Sequence, residues 1–332
     1  MVEEKSPLNK EVTARWEALK NRLVDELSRG ITVARLATET GLMAGQIERW
    51  ASDPKCFRDG HRIGEPSLAE RIESSLESRF AELDVERAAE NRHRPARVET
   101  SVMVKAMHAF DMARKTPALV DFTAPPGVGK SAAVEEYVAN CRKAEGFACP
   151  VWTVELSEFN LSAKGVLALL AEQVRRSPQS GSEFELSRLI EDSVEGKGGL
   201  LIIEEAQHLA DALNINSGLR IINGLRRYVD KGLFGIVFIN NGEIYRRLQS
   251  GKHAQLFSRM ESWRVKVDGV TDDDVDKIML AWGVSGKAAR EYCIKVASGG
   301  GALRSLVSLF QRTHREFGVI DIDTMKSIRE GI

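Results

Sequence analysis

Apolar residues recur at two different periods along the 332-residue chain, and the change of period near residue 100 divides it. Before that point the spacing is three and four, the repeat of one helix face. Val12, Trp16, Leu19, Leu23 and Leu27 predict a helix over 11–27, with Gly30 as its stop. In the next stretch, ITVARLATETGLMAGQIERWASDP, Ala37 permits close helix crossing and Gly41 makes a turn. Ile47 and Trp50 anchor a second helix that Pro54 ends. This spacing fits a helix-turn-helix, and also any small helical hairpin. Leu68, Ile72, Leu76, Phe80 and Leu83 then mark one face of a charged helix over 65–90, a packing or spacer element. NRHRPARVET follows as a basic, proline-broken linker.

From about residue 100 short apolar runs alternate with helical patterns, which implies a parallel sheet covered on both faces. The predicted strands are 118–123, 150–156, 199–203, 234–239 and 263–267. After Val270 only helical patterns remain, read as a small all-helical cap. The expected organisation is a helix-turn-helix module over 1–64, the charged helix and linker over 65–98, an α/β core over 99–270 and a helical lid over 271–332.

Composition removes several classes of function. No apolar run approaches the roughly 18–20 residues of a membrane span, so no membrane partner is expected. MVEEKSPLNKE has no apolar segment of the kind a signal peptide carries, which points to a cytoplasmic protein. Cys56, Cys141, Cys149 and Cys293 form no C-x-x-C pair, arguing against a zinc or disulfide framework. A formal net charge of −1 means that any contact with nucleic acid must be local.

Chemistry concentrates in FTAPPGVGKS, 122–131, placed between a predicted strand and a predicted helix. It follows the phosphate-loop pattern G-x-x-x-x-G-K-[ST], with Ala124 at the first glycine position. Ala124, Pro125, Pro126, Gly127, Val128 and Gly129 form the loop, Lys130 reaches the β- and γ-phosphates of ATP, and Ser131 can ligate Mg²⁺. Ala in place of the first Gly loses only freedom at positive φ. GLLIIEEAQHL adds an apolar strand that delivers two carboxylates at its C-terminal end. Glu204 is the expected Mg²⁺ holder and Glu205 the residue that polarises the attacking water. His208, just beyond, reads as structural.

With these motifs in this order, residues 100–332 resemble the AAA+ ATPases, P-loop NTPases whose parallel sheet carries a C-terminal helical lid. The resemblance implies a γ-phosphate sensor at Asn241, beside Asn240, in FINNGE. It also implies an arginine finger at Arg259 and a lid arginine at Arg304. A finger that reaches a neighbour's ATP implies a homo-oligomer, a helical filament or ring. Within the family, the N-terminal helix-turn-helix, LIIEEAQHL and NNGEIYRRL are similar to the phage Mu transposition protein B group. That group has Gly where Asn240 stands, Pro at Gly242 and Asp at Glu204.

This second resemblance implies a phage or prophage ATPase that coats double-stranded DNA without sequence preference and delivers it to a transposase. Its hydrolysis is expected to be slow and DNA-stimulated. A helicase loader, an ATP-switched transcription regulator and a non-hydrolysing scaffold fit the same core. For DNA, the loop ELSEFNLSAKG offers Lys164, with Asn160 and Ser162 as neutral donors; Lys164 also reads as an ordinary surface lysine. Arg49 in the helix-turn-helix and the linker's Arg92, Arg94 and Arg97 are the other candidates.

Overall fold

The structure is a computed structural model, and the residues it describes are 10–28, 30–58, 65–91, 95, 97–146, 149–211, 215–249, 260 and 262–330. Contacts divide the chain into two compact units, one of residues 1–92 with 138–149, the other of residues 93–137 with 150–332.

In the first unit, helices α1 (Lys10–Ser28), α2 (Val33–Thr40), α3 (Ala44–Ser52) and α4 (Leu68–Asn91) share one apolar core. Thr32 caps α2, and Gly41 ends it in the left-handed conformation at φ 70°, which turns the chain into α3. Leu36, Ile47 and Trp50 are fully buried under this helix-turn-helix. Trp16 donates from Nε1 to the Trp50 carbonyl at 2.8 Å, and Trp50 donates to Glu73 at 3.2 Å, so both indoles are buried with satisfied N–H groups. The apolar face of α4 closes the core: Ile72, Leu76, Phe80 and Leu83 are all buried.

The second unit is built on five parallel strands, β1 (Leu119–Thr123), β2 (Val151–Glu155), β3 (Leu200–Glu204), β4 (Gly235–Asn240) and β5 (Arg264–Lys266), ordered β2-β3-β4-β1-β5. Each of the five predicted strands forms. β1 and β4 are buried at every position, the burial of a strand covered on both faces, whereas β5 lies at an edge and carries Arg264 and Lys266. Helices α5 (Ser101–Lys115), α6 (Lys130–Glu145), α7 (Ala163–Arg175), α8 (Glu183–Val194), α9 (His208–Asp211), α10 (Ile215–Asp230) and α11 (Glu243–Gln249) fall between the strands or just before them. Beyond β5 come α12 (Asp272–Ala281), α13 (Lys287–Ala297), α14 (Ala302–Phe317) and α15 (Ile322–Glu330), with a core of their own around Cys293, Leu306, Phe310 and Met325.

Asp274 fastens the start of this helical segment. It completes the capping box of α12 with Thr271, and its carboxylate also accepts hydrogen bonds from the backbone N–H and the hydroxyl of Ser101 at the start of α5. Burial pushes the carboxyl up, but the hydrogen bonds from Ser101 and Thr271 outweigh it and hold Asp274 below the ordinary range. A lowered folded-state value means that the stabilisation is present above the unfolded carboxylate pKa and is lost as pH falls through the lowered one. Asp274→Ala is expected to cost about 2–3 kcal/mol at neutral pH, because Ser101 and Thr271 lose a shared charged acceptor. Thermal melts at neutral and acidic pH check this, and the deficit of the variant should narrow in acid.

Candidate nucleotide site

The phosphate loop leaves β1 at the C-terminal edge of the sheet. Ala124 is buried and its N–H donates to the carbonyl of Asn240 at 3.1 Å, which ties the loop's first residue to the end of β4. Gly127 and Gly129 take φ values of 75° and 101°, where glycine carries no Cβ penalty. Val128 is buried beneath them, and α6 begins at Lys130 with its unpaired N–H groups at the loop. The Lys130 ammonium donates to the carbonyls of Ala124 and Pro125 at 2.7 and 3.0 Å, folded over the loop beside Pro126. Burial lowers its pKa; Glu205 raises it and Arg304 lowers it, so all three charges share one field.

Opposite the loop, β3 delivers its carboxylates as expected. The Ser131 hydroxyl lies close enough to the Glu204 carboxyl to act on it, although 73 residues separate them. Burial raises the Glu204 carboxyl, the Ser131 hydroxyl pulls it down, and Glu155, Glu135 and Glu205 push it up again. Glu155 is the β2 partner of Glu204 in the strand register. A half-buried carboxylate facing three others, beside a hydroxyl and an ammonium, is an environment that a divalent cation would relieve. The donor set, one hydroxyl and carboxylates, suits the oxygen-seeking Mg²⁺.

Glu205 sits at φ 51°, a left-handed conformation that a residue with a Cβ adopts at some cost. It is held there by the Ala206 N–H donating to the Ile239 carbonyl and by Gln207 donating to the Glu205 carboxylate. The structure thus brings Lys130, Ser131, Glu204 and Glu205 together. Arg304 joins them from α14: its backbone N–H donates to the Gly127 carbonyl at 3.0 Å. A Cβ on Gly127 would collide with the carbonyl of Gly301, so loop and helical cap approach backbone to backbone.

Asn241 is exposed, and its side chain accepts the N–H of Glu243 at the start of α11. Its neighbour Asn240 is fully buried and hydrogen-bonded to Asp121 at 2.6 Å. Arg259 lies outside the described residues.

Between the loop and the cap lies a cavity of about 380 Å³, walled by Val128, Val270, Val275, Ile294 and Ala302. Of these, Val128 belongs to the predicted loop, whereas Val270, Val275, Ile294 and Ala302, together with Glu155 and Asp121, were not among the residues expected from the sequence. Apolar wall residues look like any core residue in a sequence, but a charged Asp inside the apolar run ALVDFT was a visible signal.

The residues proposed for DNA lie elsewhere. Asn160 donates to the Glu155 carbonyl and accepts the Ser157 N–H, while Ser162 caps α7 by accepting the Gly165 N–H. Both therefore shape the loop after β2, whose tip presents a fully exposed Phe159. Lys164 is exposed in the first turn of α7, in electrostatic reach of Glu185. Arg49 is exposed on α3. Arg97 is paired with Glu135 and Glu136, and Arg92 and Arg94 lie outside the described residues. No described helix is long and apolar enough to cross a membrane.

Comparison with known proteins agrees with this geometry. Residues 113–248 match a family described as an AAA domain. The chain is 28% identical over 279 residues to the ATP-dependent target DNA activator B of Escherichia phage Mu, covering 83% of this chain and 80% of the relative. It is 26% identical over 299 residues to the Mu-like prophage FluMu DNA transposition protein B of Haemophilus influenzae, covering 88% and 95% respectively. Among solved structures, the Aeropyrum pernix ORC2 protein superposes with a TM-score of 0.53 at 13% identity, covering 71% of this chain and 69% of its own. That likeness shows the fold. Phosphate loop, acidic strand end and Arg304 occupy one edge of a β2-β3-β4-β1-β5 sheet, in a chain that carries an AAA-domain match and is similar over most of its length to the transposition B proteins of phage Mu and of the FluMu prophage.

Proposed function

We propose that this ATPase assembles on double-stranded DNA in its ATP-bound state, largely without sequence preference, and delivers that DNA to a transposase. The observation that carries the reading is the convergence of Lys130, Ser131, Glu204 and Glu205 at the end of the sheet, in a chain whose relatives bear the names ATP-dependent target DNA activator B and DNA transposition protein B. Hydrolysis is slow and stimulated by DNA.

In this reading Lys130 and the N–H groups of the loop hold the phosphates, and the base occupies the cavity beside Val128 and Ile294. Ser131 and Glu204 hold Mg²⁺, which when bound offsets phosphate charge. Glu205 orients and polarises the attacking water, Asn241 responds to the γ-phosphate, and Arg304 links that response to the cap. Arg259 completes the site of a neighbouring copy, so the active form is a homo-oligomer, a helical filament or ring.

DNA is held through Lys164, one phosphate contact per subunit, summed over the assembly. Affinity then falls steeply with salt and is indifferent to sequence, since phosphates carry none. Lys164→Ala should weaken binding about equally on unrelated duplexes and flatten the salt slope, at unchanged ATP affinity. Titrations with ATP at several salt concentrations test this. An unchanged slope would remove Lys164 from the interface and move that interface to Arg49 or to the linker's Arg92, Arg94 and Arg97.

A further inference from the structure

Asp121 is a fully buried carboxylate in the middle of β1, where β4 and β5 flank it and its register partners are Phe238 and Arg264. A strand covered on both faces ordinarily carries an apolar residue at such a position, since a buried carboxylate is costly unless its oxygens are occupied. Here they are. One oxygen accepts the Asn240 amide at 2.6 Å, the other accepts the Thr123 hydroxyl at 3.1 Å, and Arg264 Nε lies 3.4 Å away as an ion-pair partner. Burial raises the carboxyl above the ordinary range, and the hydrogen bonds from Asn240 and Thr123 and the Arg264 charge pull the other way.

The partners are themselves engaged. Asn240 uses its side-chain oxygen to accept the Gly242 N–H at 2.6 Å and its backbone carbonyl to accept the Ala124 N–H. Arg264 stacks its guanidinium 3.4 Å from the centroid of the Tyr245 ring on α11. One carboxylate therefore fixes the last residue of β4 to the first residue of the phosphate loop. It also fixes the turn at 240–242 from one side through Asn240 and, through Arg264 and Tyr245, α11 from the other. Asn241 lies between two clamped neighbours.

We infer that Asp121 is a positioning residue for the nucleotide response, holding the turn that carries Asn241 in register with the phosphate loop. Packing alone would be served by an aliphatic residue. The carboxylate adds a directional link from Arg264 to Asn240, two residues that flank β1 on opposite sides. The inference rests on the site being an ATPase site, and the test separates the two.

Asp121→Asn retains an acceptor for Asn240 and turns a neutral group toward Arg264; Arg264→Met leaves the carboxylate its Asn240 and Thr123 partners. For each variant and the double, kcat and KM would be measured, together with the affinities for ADP and ATPγS by fluorescent-nucleotide competition. Expected are a kcat about tenfold lower with KM within about twofold, and a double variant no worse than either single, since both cut one link. The preference between ATPγS and ADP should shrink about threefold or more toward equality. A merely structural residue would lower nucleotide affinity and kcat together and leave the preference between ATPγS and ADP unchanged. Wild-type kcat and wild-type nucleotide preference in a folded Asp121→Asn or Arg264→Met would overturn the inference. A wild type without turnover would count against the ATPase reading, while the nucleotide preference of the variants would still decide the role of Asp121.

Discussion

Lys130→Ala is expected to abolish ATP binding at working concentrations and, with it, every ATP-dependent contact with DNA. The residue is the one cation that the described phosphate loop itself offers to a triphosphate, and it is partly desolvated, with its ammonium already fixed over the loop by the carbonyls of Ala124 and Pro125. In such a setting a charge-assisted contact is worth about 2–3 kcal/mol or more, which is about 30- to 150-fold in affinity. The loss should not come from misfolding. Lys130 donates to loop carbonyls that also face the cleft, and the strand and helix on either side are held by their own cores. Equilibrium titration with a fluorescent ATP analogue is the check. Affinity within about threefold of wild type would remove Lys130 from the site.

Glu205→Gln should separate binding from hydrolysis. Glu205 reaches its position through a left-handed backbone conformation, one residue beyond the strand end that carries Glu204, and it shares a field with Lys130. Gln keeps the size and the hydrogen bond with Gln207 but cannot take up a proton or polarise water as a carboxylate does. Removal of a positioned general base typically costs about 10²–10⁴ in rate. The variant should bind ATP and Mg²⁺ with near wild-type affinity, turn over at least about a hundredfold more slowly, and leave assemblies on DNA that persist. Single-turnover kinetics beside Glu204→Gln assigns the two carboxylates. If Glu204→Gln alone blocks hydrolysis while Glu205→Gln turns over normally, their roles are the reverse of those proposed.

Much of the fold was legible because it is written in local pattern. The apolar runs around Val120, Val154, Ile202 and Val237 are short, bounded and nearly free of charge, which is how strands covered on both faces read. Gly41 signalled its own left-handed turn, and the face of Leu68, Ile72, Leu76 and Phe80 announced the buried side of α4. The phosphate loop was legible for a chemical reason: a glycine-rich turn ending in Lys-Ser has few other uses between a strand and a helix.

What the sequence could not convey depends on residues far apart in the chain. Asp121 and Asn240 are separated by 119 positions, and neither alone signals a pair. The same holds for Ser131 with Glu204, and for the Gly301 carbonyl that closes on Gly127. Asn160 looked like a free donor to phosphate, yet its amide donates to the Glu155 carbonyl, and Ser162 accepts the Gly165 N–H as the cap of α7, the habit of Asn and Ser in turns and caps. Arg97 looked like a linker cation and is paired with two glutamates of α6.

Control of assembly on DNA by ATP can be seen in electron micrographs of the purified protein with plain duplex DNA, in the presence of Mg²⁺ with ATP, with ADP or with no nucleotide. Expected are a continuous protein coat on duplexes of unrelated sequence with ATP, its persistence in Glu205→Gln, and bare DNA with ADP or without nucleotide. A coat of the same extent without nucleotide, or naked DNA with ATP bound, would contradict control by ATP.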